Sequence, residues 1–541
     1  MAEVSFFSVF RLWLFGARGC VLTKREIGLV PLPVSGRSLA EPIALNDPLR
    51  SALSRDPAAV ALHDLKRSIS WIDLEESCNA LARRYHWMGL RPGDRIASLM
   101  PNSLELLIHY LAGLRCGLVL TPLNYRYTVP EINHALEISG ARCLLHHCER
   151  QCDVDASNAL SACDLGSITA HDDGIIDESS QDWREFALPQ TEHDPGDPCF
   201  LFFTSGSTGK PKAVTHTRQS LGWMFASVLD VTGLRPGEQF LAGSSLSHIA
   251  SSTFALSALC RGASVLVPNN LSCSCLETLL RDHHPQVVMA LPVTLFSLVR
   301  DERLQRSDFS SVRLCISGGD KVNHQLHLEF EQATGQRIDE CYGMSEIGFA
   351  SLSPIEGENR IGSVGQLCPG FEGCIRSADG RELGVGEEGV LWIKSPTQTV
   401  GYWNNPAATA ETVQEGWLNT GDAMRLDDDG YLWFCGRRKQ IIVHDGSNIC
   451  PQDVEEALME HPAVDQAGVI GIEDAVHGQN VHAYVSFKSG SSVPSVPELI
   501  SFARDRVGYK APEVLQVLPS LPLNSVGKIN RVALHAITSK H

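Results

Sequence analysis

The order of apolar and polar positions predicts an alternation of strands and helices in the first part of the chain. Residues 94–100 form a short apolar run, and apolar side chains then recur at helical spacing over residues 104–114. A second apolar run occupies residues 117–121. Strand, helix and strand joined by short connections imply parallel pairing of the two strands, which is typical of an α/β layer.

Local signals extend this pattern along the chain. Asn102, with Glu105 three residues later, predicts a capping box at the start of the first of these helices. Further strands are predicted at residues 263–267, 287–291 and 314–317. Residues 149–198 are polar and rich in turn signals, so we expect a surface connection there rather than a domain.

The last part of the chain has the pattern of a small separate unit. Beyond Gly436 the sequence predicts a helix at residues 453–461 and apolar strands at 467–472 and 481–487. This stretch holds ten Lys and Arg residues against eleven Asp and Glu residues, so it is nearly neutral. We therefore predict a large domain at residues 1–436 and a small domain at residues 437–541.

The chain as a whole is acidic. Its 541 residues include 45 Lys and Arg against 63 Asp and Glu, which gives a formal net charge of −18. This excess repels phosphate backbones and anionic lipid, so we expect no nucleic acid and no membrane surface as a partner. The 17 cysteines show no repeating spacing, and a chain of this length needs no disulfides for stability. We therefore expect a reducing, intracellular compartment.

Both termini bear on which compartment that is. Within residues 1–30, the apolar stretch 6–15 is too short and too charged to span a bilayer, so we expect no integral membrane span. It fits an organellar targeting helix or an interfacial anchor. It equally fits a helix docked on the rest of the protein, or a translation start site assigned too far upstream. Ser539-Lys540-His541 resembles a peroxisomal signal without its terminal leucine. The cytoplasm is the expected compartment, with a mitochondrion or a peroxisome as the eukaryotic alternatives.

The strongest local signal for chemistry is a loop that follows a predicted buried strand. It reads Thr204-Ser205-Gly206-Ser207-Thr208-Gly209-Lys210. Free backbone N–H groups beside glycine, hydroxyl groups and a lysine together suit a polyphosphate. The glycine spacing differs from that of a Walker loop, and Pro211 stands where such a loop has its magnesium-binding hydroxyl. Taken alone, a loop of this kind is more often a plain turn.

Further motifs follow this loop in a fixed order. They are Gly318-Gly319-Asp320, Tyr342-Gly343-Met344-Ser345-Glu346, Asp422 at the end of segment 416–422, Arg437-Arg438-Lys439, and Lys528 within segment 522–529. With the loop, they resemble the adenylate-forming superfamily, which contains acyl-CoA synthetases, adenylation domains and firefly-type luciferases. The resemblance covers residues 94–531. It implies an α/β fold with a large N-terminal domain of layered sheets plus a β-barrel-like part, and a small mobile C-terminal α+β domain.

The resemblance also implies how ATP is held. The loop from Thr204 to Lys210 grips the β- and γ-phosphates. The adenine ring lies against Gly318 and Gly319 on one side and Tyr342 on the other, and the missing glycine side chains allow close approach. Asp320, where the family often has alanine, and Gly343 complete this group of nucleotide-binding residues.

The resemblance also assigns roles to several charged residues and to one serine. Asp422 accepts both ribose hydroxyls. Arg437 adds a contact to the ribose or to a phosphate. A salt bridge at a domain edge is a serious alternative role for Arg437. Ser345 donates to the α-phosphate, and Glu346 is the ligand of Mg²⁺, a cation that prefers carboxylate and phosphate oxygens.

Two lysines are implied to act in the chemistry and in the movement of the small domain. Lys528 touches both the attacking carboxylate and the α-phosphate and stabilises the charge that develops between them. Lys439 is the hinge about which the small domain turns. That rotation withdraws Lys528 and brings the region of Gly446 against the thiol acceptor. The family pattern has two glycines there, and this chain has Asp445-Gly446.

His248 marks the segment implied to bind the acid. It lies near the carboxylate of the acid, although a lone histidine is more often structural. Because Ala250, Ser251 and Ser252 are small, we expect an open pocket wall and a bulky or elongated acyl group. The aspartate that amino-acid-activating domains place near this segment is missing, since none lies between Asp230 and Asp282. Cys143, His146, His147, Cys148 and Cys152 lack the paired spacing of a zinc site.

The sequence therefore predicts an ATP-dependent acid–CoA ligase of fatty-acid or aryl-acid metabolism, with Mg²⁺ as its metal and a monomer or homodimer as its assembly. One rival is a free-standing adenylating enzyme that passes its acyl group to a carrier protein or oxidises it. Another is a catalytically silent binder of nucleotide or acyl-adenylate. A binder has no need of Lys528, which favours the ligase.

Overall fold

The computed structural model describes residue 39 and residues 41–171, 174–175, 186–188, 192–204, 211–301, 304–354, 357–437, 440–444, 447–474, 477–524 and 527–538. The apolar N-terminal segment and the final Ser539-Lys540-His541 lie outside these residues. Within these ranges, no helix is long and apolar enough to cross a membrane. The same ranges contain no disulfide bond.

The N-terminal part alternates short helices and strands. Its helices are α1 (Arg50–Arg55), α2 (Trp71–Trp87), α3 (Leu104–Arg115), α4 (Val129–Ser139), α5 (Gln151–Ala156), α6 (Ala159–Ala162), α7 (Arg218–Thr232), α8 (Ile249–Arg261), α9 (Cys273–His283), α10 (Pro292–Val299), α11 (His324–Thr334) and α12 (Pro406–Thr412). Its strands are β1 (Val60–His63), β2 (Ser68–Ser70), β3 (Arg95–Leu99), β4 (Val119–Pro122), β5 (Cys143–His147), β6 (Ser167–His171), β7 (Gly174–Ile175), β8 (Pro198–Thr204), β9 (Lys212–Thr217), β10 (Gln239–Gly243), β11 (Ser264–Leu266), β12 (Val287–Ala290), β13 (Leu314–Gly318), β14 (Asp339–Met344), β15 (Gly348–Leu352), β16 (Gln366–Leu367), β17 (Glu372–Arg376), β18 (Gly389–Lys394), β19 (Gly401–Tyr402), β20 (Val413–Gln414), β21 (Trp417–Leu426) and β22 (Leu432–Arg437).

One large sheet has the order β16-β15-β14-β13-β12-β10-β11-β1-β2 among the described strands. The run from β14 to β1 is parallel, and antiparallel strands complete the sheet at both edges. β12 and β13 are buried along their whole length, as expected for a parallel sheet that is covered on both faces. The predicted strands at 263–267, 287–291 and 314–317 are confirmed as β11, β12 and β13.

The second large sheet has the described order β19-β9-β8-β4-β3-β5-β6-β7. The predicted parallel pairing of strands at 94–100 and 117–121 is confirmed, since β3 pairs in parallel with β4. Among the described residues of 149–198 no separate sheet is formed, as expected for a segment that is not a domain of its own. The expected surface connection also supplies β6, however, which pairs in parallel with β5. Ile168 and Ala170 are its buried positions, and two apolar residues among polar neighbours give too weak a signal for a strand.

The start of α3 differs from its prediction by one residue. Ser103, not Asn102, is the N-cap, and its side chain accepts a hydrogen bond from the backbone of the helix. The Asn102 amide instead donates to the carbonyl oxygen of Ser244, 2.9 Å away. Glu105 forms a buried ion pair with Arg67. Both side chains of the predicted capping box therefore hold distant parts of the chain together.

The main core lies between the two large sheets and is filled by helices α3, α7 and α8. α7 packs on β9 of one sheet and on β15 of the other. Phe254 of α8 meets Phe349 of β15 edge to face, with ring centroids 5.0 Å apart. Burial of one such phenylalanine stabilises the fold by about 2–3 kcal/mol. This packing fixes the two sheets against each other.

A third sheet follows in the N-terminal part. It is antiparallel, with the described order β17-β18-β21-β20 and with β22 on β21. The predicted α/β class, with a large N-terminal domain and a smaller C-terminal domain, is confirmed.

The C-terminal part has a sheet of its own. Its strands are β23 (Ile442–His444), β24 (Ser447–Ile449), β25 (Val464–Asp474), β26 (Gly478–Phe487) and β27 (Val514–Val517), and its helices are α13 (Pro451–Met459), α14 (Val496–Val507) and α15 (Arg531–Thr538). The predicted helix 453–461 and strands 467–472 and 481–487 correspond to α13, β25 and β26. The division at residue 436 stays a prediction, and the two sheet systems separate near it, between the end of β22 and the start of β23.

Candidate active site

The candidate site begins at the carboxyl ends of β13 and β14, where Gly318 lies opposite Cys341. A Cβ on Gly318 would collide with Cys341 Sγ and lie 2.5 Å from the Cys341 carbonyl oxygen. Gly319 has a φ of +79°, a conformation that favours glycine. A Cβ on Gly343 would collide with the backbone of Gly348. These glycines line the main cavity with bare backbone.

Tyr342, Asp422 and Arg437 form a connected group beside these glycines. The Tyr342 hydroxyl donates to Asp422 Oδ2 at 2.7 Å. Arg437 Nε lies 3.1 Å from Asp422 Oδ1, an ion pair that the strands create, because Asp422 of β21 and Arg437 of β22 are register partners. The sequence placed all three at one nucleotide site, and the fold brings them together.

Burial and the neighbouring groups act in opposite directions on the Asp422 carboxyl. Burial raises the pKa of Asp422, while Arg437 and the Tyr342 hydroxyl oppose that rise. Asp422 in turn raises the pKa of Arg437. No hydrogen bond with good geometry reaches Asp422 Oδ1 from any residue that the structure describes. A buried carboxylate oxygen with spare acceptor capacity suits a ligand that offers hydroxyl groups.

Ser345 and Glu346 lie in the turn between β14 and β15. The side chain of Glu346 is buried, and its Oε1 accepts a 2.7 Å hydrogen bond from the Tyr402 hydroxyl. Burial raises the pKa of Glu346, and the Tyr402 hydroxyl opposes this rise. His216 Nε2 lies 2.7 Å from the carbonyl oxygen of Ser345. Burial lowers the pKa of His216 to about 4, so the ring is neutral and donates from Nε2 to this carbonyl.

Tyr402 and His216 touch the predicted site but were missed by the sequence analysis. Tyr402 lies on β19, which pairs with β9, the strand that carries His216. Their partners, Glu346 and Ser345, are far away along the chain, and neither residue belongs to a glycine-rich or charged run. The pairing of β19 with β9 places both residues, and no local pattern predicts that pairing.

Lys528 reaches the site from the C-terminal part. A short turn presents it, in which the Lys528 N–H donates to Asn524 Oδ1 at 2.9 Å and the Lys528 carbonyl accepts from Asn524 N–H at 2.7 Å. Burial lowers the pKa of Lys528, whereas the charges of Asp320 and Asp422 raise it. Arg437 also lowers this pKa, so the ammonium group lies in the field of Asp320, Asp422 and Arg437.

His248 and Lys528 line the same cavity from opposite parts of the chain. His248 is the N-cap residue of α8, and water in the cavity can reach its ring. Partial desolvation in the cavity and the charge of Lys528 lower the pKa of His248 below its ordinary value. The imidazole is therefore neutral at physiological pH and acts as a hydrogen-bonding group.

The cavity has a volume of about 2330 Å³. Ala250 lines it beside His248, as expected for the wall of the acid pocket, and Ser245 and Ser247 line it there too. Ser251 and Ser252 differ from that expectation, because both are buried within the α8 packing. Their hydroxyls are bound to Ser244 and to the backbone of α8, so they contribute to the core and not to the cavity wall.

Several predicted residues lie outside the described ranges. They are Ser205, Gly206, Ser207, Thr208, Gly209, Lys210, Lys439, Asp445 and Gly446. Thr204 is the last residue of β8, and its register partner Lys212 begins β9. Lys212 Nζ lies 5.1 Å from the centroid of the Tyr402 ring, so the described ends of the loop segment stand beside the Glu346 region.

Family models match most of the chain. The model described as AMP-binding enzyme matches residues 49–403, and the model described as AMP-binding enzyme C-terminal domain matches residues 453–528. A feruloyl-CoA synthase from Amycolatopsis sp is 32% identical over 488 residues, covering 89% of this chain and 96% of that protein. A long-chain-fatty-acid–CoA ligase from Bacillus subtilis (strain 168) is 29% identical over 536 residues, covering 89% of this chain and 92% of that protein.

Solved structures show the same fold. The o-succinylbenzoate CoA synthetase from Bacillus subtilis, in complex with its acyl-adenylate intermediate, superposes with a TM-score of 0.79 at 26% identity, covering 90% of this chain and 98% of that chain. An anthranilate CoA ligase in complex with anthranoyl-AMP superposes with a TM-score of 0.84 at 24% identity, covering 94% of this chain and 99% of that chain.

Proposed function

The chain belongs to the AMP-binding enzyme family, and on this basis we propose that it activates a carboxylic acid as an acyl-adenylate and then transfers the acyl group to coenzyme A. It is a ligase that forms a carbon–sulfur bond, with a carboxylic acid, ATP and coenzyme A as its substrates. The observation that carries the two-step proposal is that Lys528, His248, Gly318 and Gly319 all line one cavity.

The nucleotide fits the polar groups of this site. Asp422 Oδ1 is buried and has spare acceptor capacity, which suits the ribose hydroxyls. Gly318, Gly319 and Gly343 line the cavity, and we place the adenine ring against their backbone, with Tyr342 and Asp320 beside it. We assign the phosphates to the loop from Thr204 to Lys210 and to Ser345.

Glu346 is the proposed ligand of Mg²⁺. Its carboxylate oxygens are the hard ligands that Mg²⁺ prefers, and the Tyr402 hydroxyl orients them. When bound, Mg²⁺ would neutralise part of the phosphate charge and orient the α-phosphate. Because burial raises the pKa of Glu346, a nearby cation also favours its ionised form.

In the proposed first half-reaction, a carboxylate oxygen of the acid attacks the α-phosphorus of ATP. The bond from this phosphorus to the β-bridging oxygen breaks, and pyrophosphate leaves. Two anions must meet in this step, and the Lys528 ammonium stabilises the negative charge that develops between them. Neutral His248 donates to the acid from the cavity wall and positions it without adding a second cation.

In the proposed second half-reaction, the thiolate of coenzyme A attacks the carbonyl carbon of the acyl-adenylate. The carbon–oxygen bond to AMP breaks, AMP leaves, and the thiol proton passes to solvent. The small domain at residues 437–541 turns about Lys439 between the two steps. That turn removes Lys528 and brings the region of Gly446 to the thiol.

We propose a fatty acid, an aryl acid or another bulky acid as the substrate. Ser245, Ser247 and Ala250 have small side chains, so the cavity wall beside His248 leaves room for a bulky acyl group. The similarity to a feruloyl-CoA synthase and to long-chain-fatty-acid–CoA ligases supports the same range.

The test is AMP release across short, medium, long-chain and aryl acids, with and without coenzyme A. A CoA ligase turns over repeatedly only when the thiol is present, and the acyl-CoA product accumulates in step with AMP. Repeated AMP release without coenzyme A, or transfer only to a carrier protein, would contradict coenzyme A as the acceptor. The absence of pyrophosphate release with any acid would contradict the adenylation step itself.

A further inference from the structure

Lys321 links the N-terminal part to the C-terminal part. It lies in the turn after β13, one residue beyond Asp320, and its Nζ is 2.5 Å from Glu456 Oε2 and 3.9 Å from Asp453 Oδ1. Both acids belong to α13 of the C-terminal part. The other oxygen of Glu456 accepts a 3.3 Å hydrogen bond from the backbone N–H of His324.

This contact is more than a loose surface pair. The side chain of Lys321 is 22% exposed and that of Glu456 is 24% exposed, so both charges are largely withdrawn from water. Burial opposes the charge on Lys321, yet Glu456 and Asp453 raise its pKa above the ordinary value. An ion pair with two acceptors and a backbone donor is held more firmly than an isolated exposed pair.

The same helix is tied to the segment that carries Lys528. Glu455, next to Glu456 on α13, accepts a 2.6 Å hydrogen bond from Arg531 Nη2. Arg531 begins α15, three residues after Lys528, and its Nε donates to the carbonyl oxygen of Val469. A continuous series of contacts therefore runs from Lys321 through α13 and Arg531 to Lys528.

We propose that Lys321 is a positioning residue for the first half-reaction. Its ion pair with Glu456 holds α13, and through α13 it holds Lys528, in the orientation that brings the ammonium group to the nucleotide site. Rotation of the small domain for thioester formation must break this pair, so the pair favours adenylation over the second half-reaction. The proposal rests on the proposed function for the role of Lys528 and concerns only how Lys528 is kept in place.

The two half-reactions are measured separately to test this. Lys321→Gln and Glu456→Gln should each lower acid-dependent exchange of pyrophosphate into ATP by about three- to tenfold. Coenzyme A-dependent conversion of presynthesised acyl-adenylate should stay unchanged or become faster. Lys321→Arg, which keeps the charge, should retain most of the exchange. Arg506→Gln is the matched control, because it removes a 2.5 Å pair with Glu460 that lies wholly within the C-terminal part.

Charge reversal tests the pairing itself. Lys321→Glu and Glu456→Lys should each lose exchange, and the double variant should recover to within about twofold of wild type, as expected for directly coupled partners. Unchanged exchange in Lys321→Gln and Glu456→Gln would overturn the proposal. Equal loss of both half-reactions would overturn it too, since that pattern belongs to a general structural defect.

A second readout does not depend on catalysis. Arg437, Arg438 and Lys439 offer trypsin sites at the boundary of the two parts. Lys321→Gln should speed cleavage there by about threefold, and Arg506→Gln should not, when fragments are followed by mass spectrometry. If Lys321→Gln is cleaved faster but wild type shows no pyrophosphate exchange with any acid, Lys321 still holds the two parts together, and the proposed function is contradicted. Unchanged cleavage would overturn the role of Lys321.

Discussion

The hydroxyl of Tyr342 donates a 2.7 Å hydrogen bond to Oδ2 of Asp422, 80 residues further along the chain. The two residues come from different sheets, β14 in the large parallel sheet and β21 in the antiparallel sheet. The bond therefore fixes Tyr342, which we propose to lie against the base, relative to Asp422, the proposed acceptor for the ribose hydroxyls. It also leaves Oδ1 of Asp422 with spare acceptor capacity beside Arg437.

We expect Asp422→Asn to weaken ATP binding strongly. A charge-assisted hydrogen bond contributes about 1.5–3 kcal/mol, so the KM for ATP should rise by at least about tenfold. Tyr342→Phe removes a donor to this carboxylate but leaves the carboxylate itself, so the KM for ATP should rise less than in Asp422→Asn. Steady-state kinetics at saturating acid measures both effects. A KM for ATP that is unchanged in Asp422→Asn would remove this residue from the nucleotide site.

The charge on Lys528 predicts how the first half-reaction depends on pH. Burial lowers the pKa of Lys528, so the protonated form that stabilises the anionic step is lost at a pH below the ordinary range for lysine. Asp320 raises this pKa, and removing its charge lowers it further. On the alkaline side of the pH profile, pyrophosphate exchange by Asp320→Asn should therefore decline at a lower pH than exchange by wild type. A shift of the alkaline limb to higher pH would contradict the proximity of the two charges.

The hydrogen bond from Tyr402 to Glu346 predicts a change in the Mg²⁺ requirement. Partners that orient a metal ligand typically contribute about 10–100-fold in metal affinity, so Tyr402→Phe should raise the Mg²⁺ concentration for half-maximal activity by about tenfold. Tyr431→Phe is the control, because its hydroxyl donates to the backbone of Glu358, a contact that does not involve Glu346. Equal Mg²⁺ titrations for Tyr402→Phe and wild type would contradict Glu346 as the metal ligand.

Strand positions could be predicted well from the sequence where the apolar run was continuous. β12 and β13 are buried on both faces, so the apolar pattern alone indicates them. β6 escaped prediction because only alternate positions are buried and polar segments surround it. The cap of α3 was placed one residue early, because Asn102 and Ser103 are both good caps and only the contact of Asn102 with Ser244 separates them.

The grouping of the site residues could be predicted only in part. The glycines, the tyrosine and the acids stand in motifs whose order resembles a known superfamily, so their common site was expected. Tyr402 and His216 carry no such signal, because their roles come from the pairing of β19 with β9. The ion pair between Lys321 and Glu456 joins two parts of the chain more than a hundred residues apart, and it depends on how those parts meet.

The role of Lys528 in adenylation is tested most directly by Lys528→Ala, with the two half-reactions followed apart. Pyrophosphate exchange should fall by about 10²–10³-fold, because one preorganised donor to developing negative charge has an effect of that size. Coenzyme A-dependent conversion of presynthesised acyl-adenylate should stay within about threefold of wild type. Arg506→Ala, which removes a cation paired with Glu460 in the same part of the chain, should change neither rate. Equal loss of both half-reactions in Lys528→Ala, or undiminished exchange, would contradict its role.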